Sequence, residues 1–161
     1  MTTQTAKISI QTLPRRYFAY VRNIGPYMGD TELFGRLFHQ VIGWLNTKDL
    51  MQPGMEAISI YHDHPEEVPP EKYRISVGFT IPKPIEGEDD IQVMEIPEGR
   101  YAVGSFEILP TEYGNAWEEM MHYLQDKKLM PSGGPMYESY KNDPKEHPEG
   151  KHLVDICVAI V

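Results

Sequence analysis

Apolar positions along this chain change their period in a regular order, and that order occurs twice. Ile8 to Gln11 and Arg16 to Arg22 are rich in β-branched and aromatic residues and flank Leu13-Pro14, which reads as two strands broken at a proline. Gly25-Pro26-Tyr27 is a loop. The period then lengthens: Leu33, Phe34, Leu37, Phe38, Val41, Ile42 and Leu45 fall at spacings of three and four, behind Asp30 or Thr31, either of which can cap a helix. Pro53-Gly54 closes that passage. Ala57 to Tyr61 is a predicted strand, Asp63 to Pro70 a polar Pro-rich loop, and Tyr73 to Ile81 a strand with Ile75, Val77, Phe79 and Ile81 on one face.

The plan returns after Pro82 to Asp90, a stretch of prolines and acids without apolar periodicity. Tyr101 to Ile108 is a strand. A helix capped near Thr111 carries Trp117, Met120, Met121 and Leu124 on one face. Met136 to Tyr140 is a strand, Asn142 to Gly150 a loop and Leu153 to Val161 a final strand. The repeat is visible residue by residue. Trp44-Leu45-Asn46-Thr47-Lys48-Asp49-Leu50-Met51 reappears as Tyr123-Leu124-Gln125-Asp126-Lys127-Lys128-Leu129-Met130. At the same spacing Tyr61 meets Tyr140, Pro65 meets Pro144, Glu67 meets Glu146 and Lys72 meets Lys151. Leu13-Pro14-Arg15-Arg16-Tyr17 is echoed by Ile96-Pro97-Glu98-Gly99-Arg100-Tyr101, with one residue added.

The expected architecture is α+β: two strand-helix-strand-strand modules within a single domain, residues 1–161, each with one main helix against an antiparallel sheet. Module one covers about 6–82, the linker 82–90, and module two about 91–161. A ligand cleft between the two copies is the expectation, since such interfaces favour clefts. Ile75, Val77, Phe79 and Ile81, with Val154, Ile156, Val158 and Ile160, should face the helices. The alternates Ser76, Gly78 and Thr80, and Asp155, Cys157 and Ala159, are small or polar, and their face has room for something else.

Charge narrows the partners. A formal net charge of −9 over 161 residues argues against nucleic acid, which needs a concentrated basic footprint. It would favour cationic small molecules or a basic protein partner, although solvation accounts for it equally well. The single cysteine, Cys157, lies in a β-branched stretch and reads as a strand residue, with no disulfide framework. The amino terminus lacks an apolar signal core and no apolar run reaches membrane-spanning length, so the expected place is the cytoplasm, with no membrane contact.

One difference between the copies carries candidate chemistry. Met136-Tyr137-Glu138-Ser139-Tyr140 aligns with Ala57-Ile58-Ser59-Ile60-Tyr61, placing Glu138 mid-strand where its twin is Ser59. A strand interior disfavours glutamate, and a partly buried carboxylate is costly unless paired. Met136 and Tyr140 share its face. An acid between a thioether and an aromatic ring suits a lipophilic cation. The plainer alternative is an edge-strand glutamate facing water or paired with Lys141 or Arg74.

These residues also carry a resemblance. A Gly-Pro-Tyr loop after the second strand, a helix ending in Trp-Leu, and Tyr137-Glu138-Ser139-Tyr140 followed by Asn142-Asp143-Pro144 resemble the GyrI-like family. That family comprises effector-binding domains of AraC-type and MerR-type multidrug regulators and the stand-alone DNA gyrase inhibitory protein. The resemblance covers Ile8 to Val161. It implies a pseudo-twofold pair of modules with a groove, in which a strand glutamate, here Glu138, receives cationic aromatic ligands. Tyr140, Met136, Tyr61, Ser59, Trp44 and Trp117 are candidate neighbours of the ligand, although helix tryptophans usually pack in cores. No helix-turn-helix precedes Ile8, so the expectation is a small-molecule-binding protein without its own DNA-binding domain, with a separate regulator as one candidate partner.

Two alternatives remain open. One is binding to a protein partner such as DNA gyrase. The other, which the resemblance also suggests, is hydrolysis of cyclopropane-type electrophiles by Glu138 with a tyrosine, Tyr140, Tyr61 or Tyr101. No cofactor is expected. His62-Asp63-His64, with His147 and His152, has metal-like spacing, but the Pro-rich acidic loops complete no recognisable set. Met120, Met121, Met130 and Met136 read as core filling, although Met136 shares the face of Glu138, and Ser132-Gly133-Gly134 reads as a turn.

Overall fold

The computed structural model describes residues 7–63 and 66–161. His64 and Pro65, and the expectations attached to them, lie outside the described residues. The described residues form eight strands and two α-helices: β1 (Lys7–Leu13), β2 (Arg16–Ile24), α1 (Thr31–Thr47), β3 (Ala57–Tyr61), β4 (Arg74–Ile81), β5 (Gln92–Ile96), β6 (Gly99–Ile108), α2 (Tyr113–Asp126), β7 (Pro131–Tyr140) and β8 (His152–Ile160). The fold is α+β, and the pairings of β1 with β6, β6 with β8, β7 with β8, β2 with β4, β2 with β5 and β3 with β4 are antiparallel.

Residues 15–97 form one compact unit. Its strands run in the order β3-β4-β2-β5, with Val21 and Ser59 both opposite Val77, and Val93 opposite Ala19. Asp30 caps α1, its Oδ1 accepting from the Leu33 N–H at 3.0 Å. The helix lays Leu33, Leu37, Val41 and Leu45 on Ala19, Val21, Ile75, Val77 and Ile81. Each fully buried aliphatic side chain of this kind is worth about 1.5–3 kcal/mol. The helix stops at Lys48, followed by Asp49 at φ 56°.

The other unit is built from the residues before Arg15 and those from Glu98 to Val161. Its strands run β1-β6-β8-β7. Ala116, Met120 and Leu124 of α2 pack on Ala102, Phe106, Val154, Ile156 and Val158. Gly104 makes this approach possible: a Cβ there would lie 2.5 Å from Met120 Sδ and 2.7 Å from Phe106 Cε2.

Several expectations change. The compact units do not divide at 82–90. β1 pairs with β6, and β5, which periodicity left unread, pairs with β2, so each unit holds an edge strand from the other sequence copy. Backbone ladder bonds are blind to side-chain identity, so the pattern could reveal strands but not their partners. Thr111 does not cap α2. A 3-10 turn, Pro110–Glu112, precedes the helix, and Glu112 Oε1 takes the Leu109 N–H at 2.6 Å. Ser132-Gly133-Gly134 lies inside β7, at a register irregularity before Met136, with Gly133 at φ 87°.

The helix-facing assignments of β4 and β8 agree with the packing. The small-residue face, however, offers no open room. Phe18 and Tyr20 stack 5.5 Å apart at 10° beside Thr80 and Gly78, and Tyr101 meets Tyr137 at 6.0 Å beside Ala159 and Cys157. All four rings are buried. Bulky residues on adjoining strands fill what the small ones leave.

Candidate functional site

Register decides where Glu138 points. It sits opposite Ile156, as Met136 sits opposite Val158 and Tyr140 opposite Val154. Directly opposed residues share a sheet face. Glu138 therefore projects to the side covered by α2, among the apolar core positions. It is only 3% exposed, which removes the water-facing alternative.

Its partners include two neutral donors. The Trp117 indole N–H donates to Oε2 at 2.7 Å, and the Tyr140 hydroxyl donates to Oε1 at 2.6 Å. Trp117 reaches it because α2 presents Tyr113, Trp117 and Met120 at spacings of four and three on one face. Neutral donors satisfy carboxylate lone pairs without adding a compensating charge.

Tyr113 and His152 complete this part of the molecule. Tyr113 is bonded to His152 Nδ1 at 2.6 Å, with the rings edge to face at 5.5 Å. Burial, then the negative charge of Glu138, pushes the Tyr113 phenol far above its usual range. Burial lowers His152 below the ordinary imidazole value, so it is neutral near pH 7.

Of the sequence candidates, Glu138, Tyr140, Met136 and Trp117 belong to one unit and share this face. Ser59, Tyr61 and Trp44 belong to the other. Ser59 is buried on β3. Tyr61 lies 5.4 Å from the Tyr27 ring, which also contacts Tyr73 and Phe34. Trp44 donates to Glu88 Oε1 at 2.9 Å, where Lys48 Nζ also binds at 3.2 Å, tying α1 to the 82–90 segment. Arg74, one possible partner for Glu138, forms an ion pair with Asp63 instead.

Sequence reasoning passed over Tyr113 and weighed His152 only as a metal ligand. A signal was available. The spacing that carries Tyr61 onto Tyr140 carries Phe34 onto Tyr113, Phe38 onto Trp117, Ser59 onto Glu138 and Tyr73 onto His152. An aromatic cluster in one copy is a hydrogen-bonding set in the other.

Among the described residues no group of three or more His, Cys, Asp or Glu is arranged for a metal. His62 bonds Ser76 Oγ at 2.7 Å and His147 bonds Glu107.

The GyrI-like small molecule binding domain matches residues 6–161. The chain belongs to the GyrI-like family. It is a small-molecule-binding domain. A DNA gyrase inhibitor of Enterobacter lignolyticus is 26% identical over 159 residues, covering 94% of this chain and 95% of the relative. The EcmrR C-terminal domain superposes with a TM-score of 0.79 at 16% identity, covering 98% of both chains. SAV2435, solved bound to tetraphenylphosphonium, superposes at 0.64 with 12% identity over 96% of this chain and 94% of its own. At those identities the two structures share the fold of this GyrI-like chain. No helix of the chain is long and apolar enough to cross a membrane, among the described residues.

Proposed function

We propose that this GyrI-like domain binds cationic, aromatic, amphipathic small molecules, with the Glu138 carboxylate as the counter-charge. The observation that carries the reading is a glutamate that is 3% exposed in an apolar core face, with Trp117 and Tyr140 donating to it. Burying a carboxylate costs several kcal/mol even after relaxation, roughly, so stability alone is a poor reason to keep one there. A lipophilic cation offsets that cost by bringing charge to the acid and apolar surface to Met136 and the rings of Trp117 and Tyr140. SAV2435, which shares the fold, was solved with a ligand of this chemistry.

Calorimetry with tetraphenylphosphonium and with neutral triphenylphosphine oxide tests it, on wild type and Glu138→Gln. The expected result is preference for the cation, lost in the variant by at least about tenfold, or about 1.4 kcal/mol. Equal binding of the neutral compound to both proteins would remove the charge argument.

A second reading, inhibition of DNA gyrase, is supported by relatives named for that activity. A supercoiling assay at stoichiometric excess tests it. Unchanged supercoiling would exclude it.

A further inference from the structure

The acid and one of its donors change together between the two copies. Glu138 stands where the first copy has Ser59 and Trp117 where it has Phe38, whereas the tyrosine is common to both, as Tyr61 and Tyr140. The indole N–H thus accompanies the buried carboxylate that it touches. An indole nitrogen donates and cannot accept, so Oε2 serves best as a bare acceptor while that bond stands. A neutral carboxyl would then carry its hydrogen on Oε1, against the Tyr140 oxygen, and would turn that phenol from donor into acceptor.

Distances point the same way. Bonds to an ionised carboxylate are short, about 2.5–2.7 Å from a hydroxyl and about 2.7–2.9 Å from a nitrogen. Tyr140 lies 2.6 Å from Oε1 and Trp117 2.7 Å from Oε2, both within those ranges. Two influences oppose each other at such a carboxyl. Burial alone can carry a glutamic acid to a pKa of about 8–9, whereas two or three donated N–H bonds can hold a carboxylate below about 2. The titratable groups that share the face from the elements packed on it are Tyr113 of α2 and His152 of β8, which bond each other. Burial lowers the His152 pKa and raises that of Tyr113, so near pH 7 both are neutral and neither brings a positive charge. Lys141 and Asp155 pair on the opposite face. Among these groups it is the two donors that oppose burial.

We infer that Trp117 is a positioning residue that keeps Glu138 ionised before any ligand arrives, so that an onium ion enters without driving a proton off the acid. The uptake rests on the cation-binding reading above, while the ionisation stands apart from it and is tested without ligand. Tyr140 shares the task at the other oxygen, but its hydroxyl can reverse its bond and an indole cannot.

Carbon-13 NMR of the glutamate carboxyls in ligand-free protein reads the charge directly, with the Glu138 signal assigned by its loss in Glu138→Gln. Between about pH 8.5 and 6.5 that signal should stay in place in wild type and titrate in Trp117→Phe, where burial loses an opponent. The variant restores the residue type of the first copy and keeps an apolar ring. Tyr140→Phe should move the signal in the same direction and serves if Trp117→Phe does not fold. Titration calorimetry with tetraphenylphosphonium, which has no proton of its own, reads the consequence. Wild-type affinity should change by less than about twofold over that pH range, with the same heat in phosphate and in Tris. In Trp117→Phe the acid must first lose its proton, so affinity should fall at least about fivefold as pH drops, with a heat that depends on the buffer. A Glu138 signal that titrates in this window in wild type, or stays in place in both variants, would overturn the inference. So would a proton released when wild type binds the cation. Failure of wild type to bind tetraphenylphosphonium would remove the cation reading, while the carboxyl signals still decide the ionisation.

Discussion

Trp117 of α2 donates its indole N–H to Glu138 of β7 across 2.7 Å, joining helix to sheet through a buried carboxylate. Its counterpart by the repeat, Phe38, packs instead on the Phe79 ring at 5.6 Å. One fold position thus serves as hydrocarbon contact in one copy and as hydrogen-bond donor in the other.

This relationship makes Trp117 a built-in reporter. In a Trp44→Phe protein, binding of a cation near Glu138 should change the remaining tryptophan emission. In Trp117→Phe, Trp44 stays bonded to Glu88 and its emission should not respond. Trp117→Phe should also lower stability by about 1.5–3 kcal/mol, the worth of a hydrogen bond to a charged group, read by urea denaturation. A ligand response confined to Trp44 would place the site elsewhere.

Three glycines should behave differently on substitution by alanine. At Gly78 a Cβ would lie 1.9 Å from the Ala19 carbonyl oxygen, backbone that has nowhere to go, so Gly78→Ala should not accumulate as folded protein. At Gly104 the obstacles are the Met120 and Phe106 side chains, and a loss of about 1–3 kcal/mol is expected. Gly35, exposed on α1 with nothing within 4 Å, should gain about 0.5–1 kcal/mol as alanine. Thermal melts rank the three.

His62 makes stability depend on pH. Burial first, then the charges of Arg22 and Arg74, lower its pKa from 6.5 to about 4. As pH falls below 6.5 the unfolded chain takes up the proton before the folded one does, so stability present above that pH is lost progressively down to about 4. Partial exposure reduces the effect to roughly 1–2 kcal/mol. Replacing His62 with Gln should flatten the melting temperature between those pH values. An identical acid profile in the variant would assign the loss to other groups.

The exchange of edge strands predicts how the chain can be cut. A fragment of residues 1–82 lacks β5, and one of 91–161 lacks β1, so each leaves a sheet edge unpaired. Neither alone should show a cooperative thermal transition by circular dichroism. A cooperative melt by either fragment would mean that its sheet does not need the exchanged strand.

The hydropathy pattern by itself determined the two amphipathic helices, the helix-facing sides of β4 and β8 and the doubling of the whole plan, because burial along a helix or strand imposes a period that survives in the order of residues. Local chemistry marked Asp30 or Thr31 as the cap of α1, and the contrast with Ser59 marked Glu138. Only the tertiary structure decided that β1 joins β6 and β5 joins β2, since ladder hydrogen bonds carry no side-chain signature. It alone filled the small-residue face with aromatic rings, and it alone turned Glu138 toward α2. Trp117 and Tyr140, which bond that acid, and Tyr113 and His152, which bond each other, come from three separate elements, and register between strands together with the seating of a helix brings these partners together. Those are distances in space, which the order of residues along a chain does not encode.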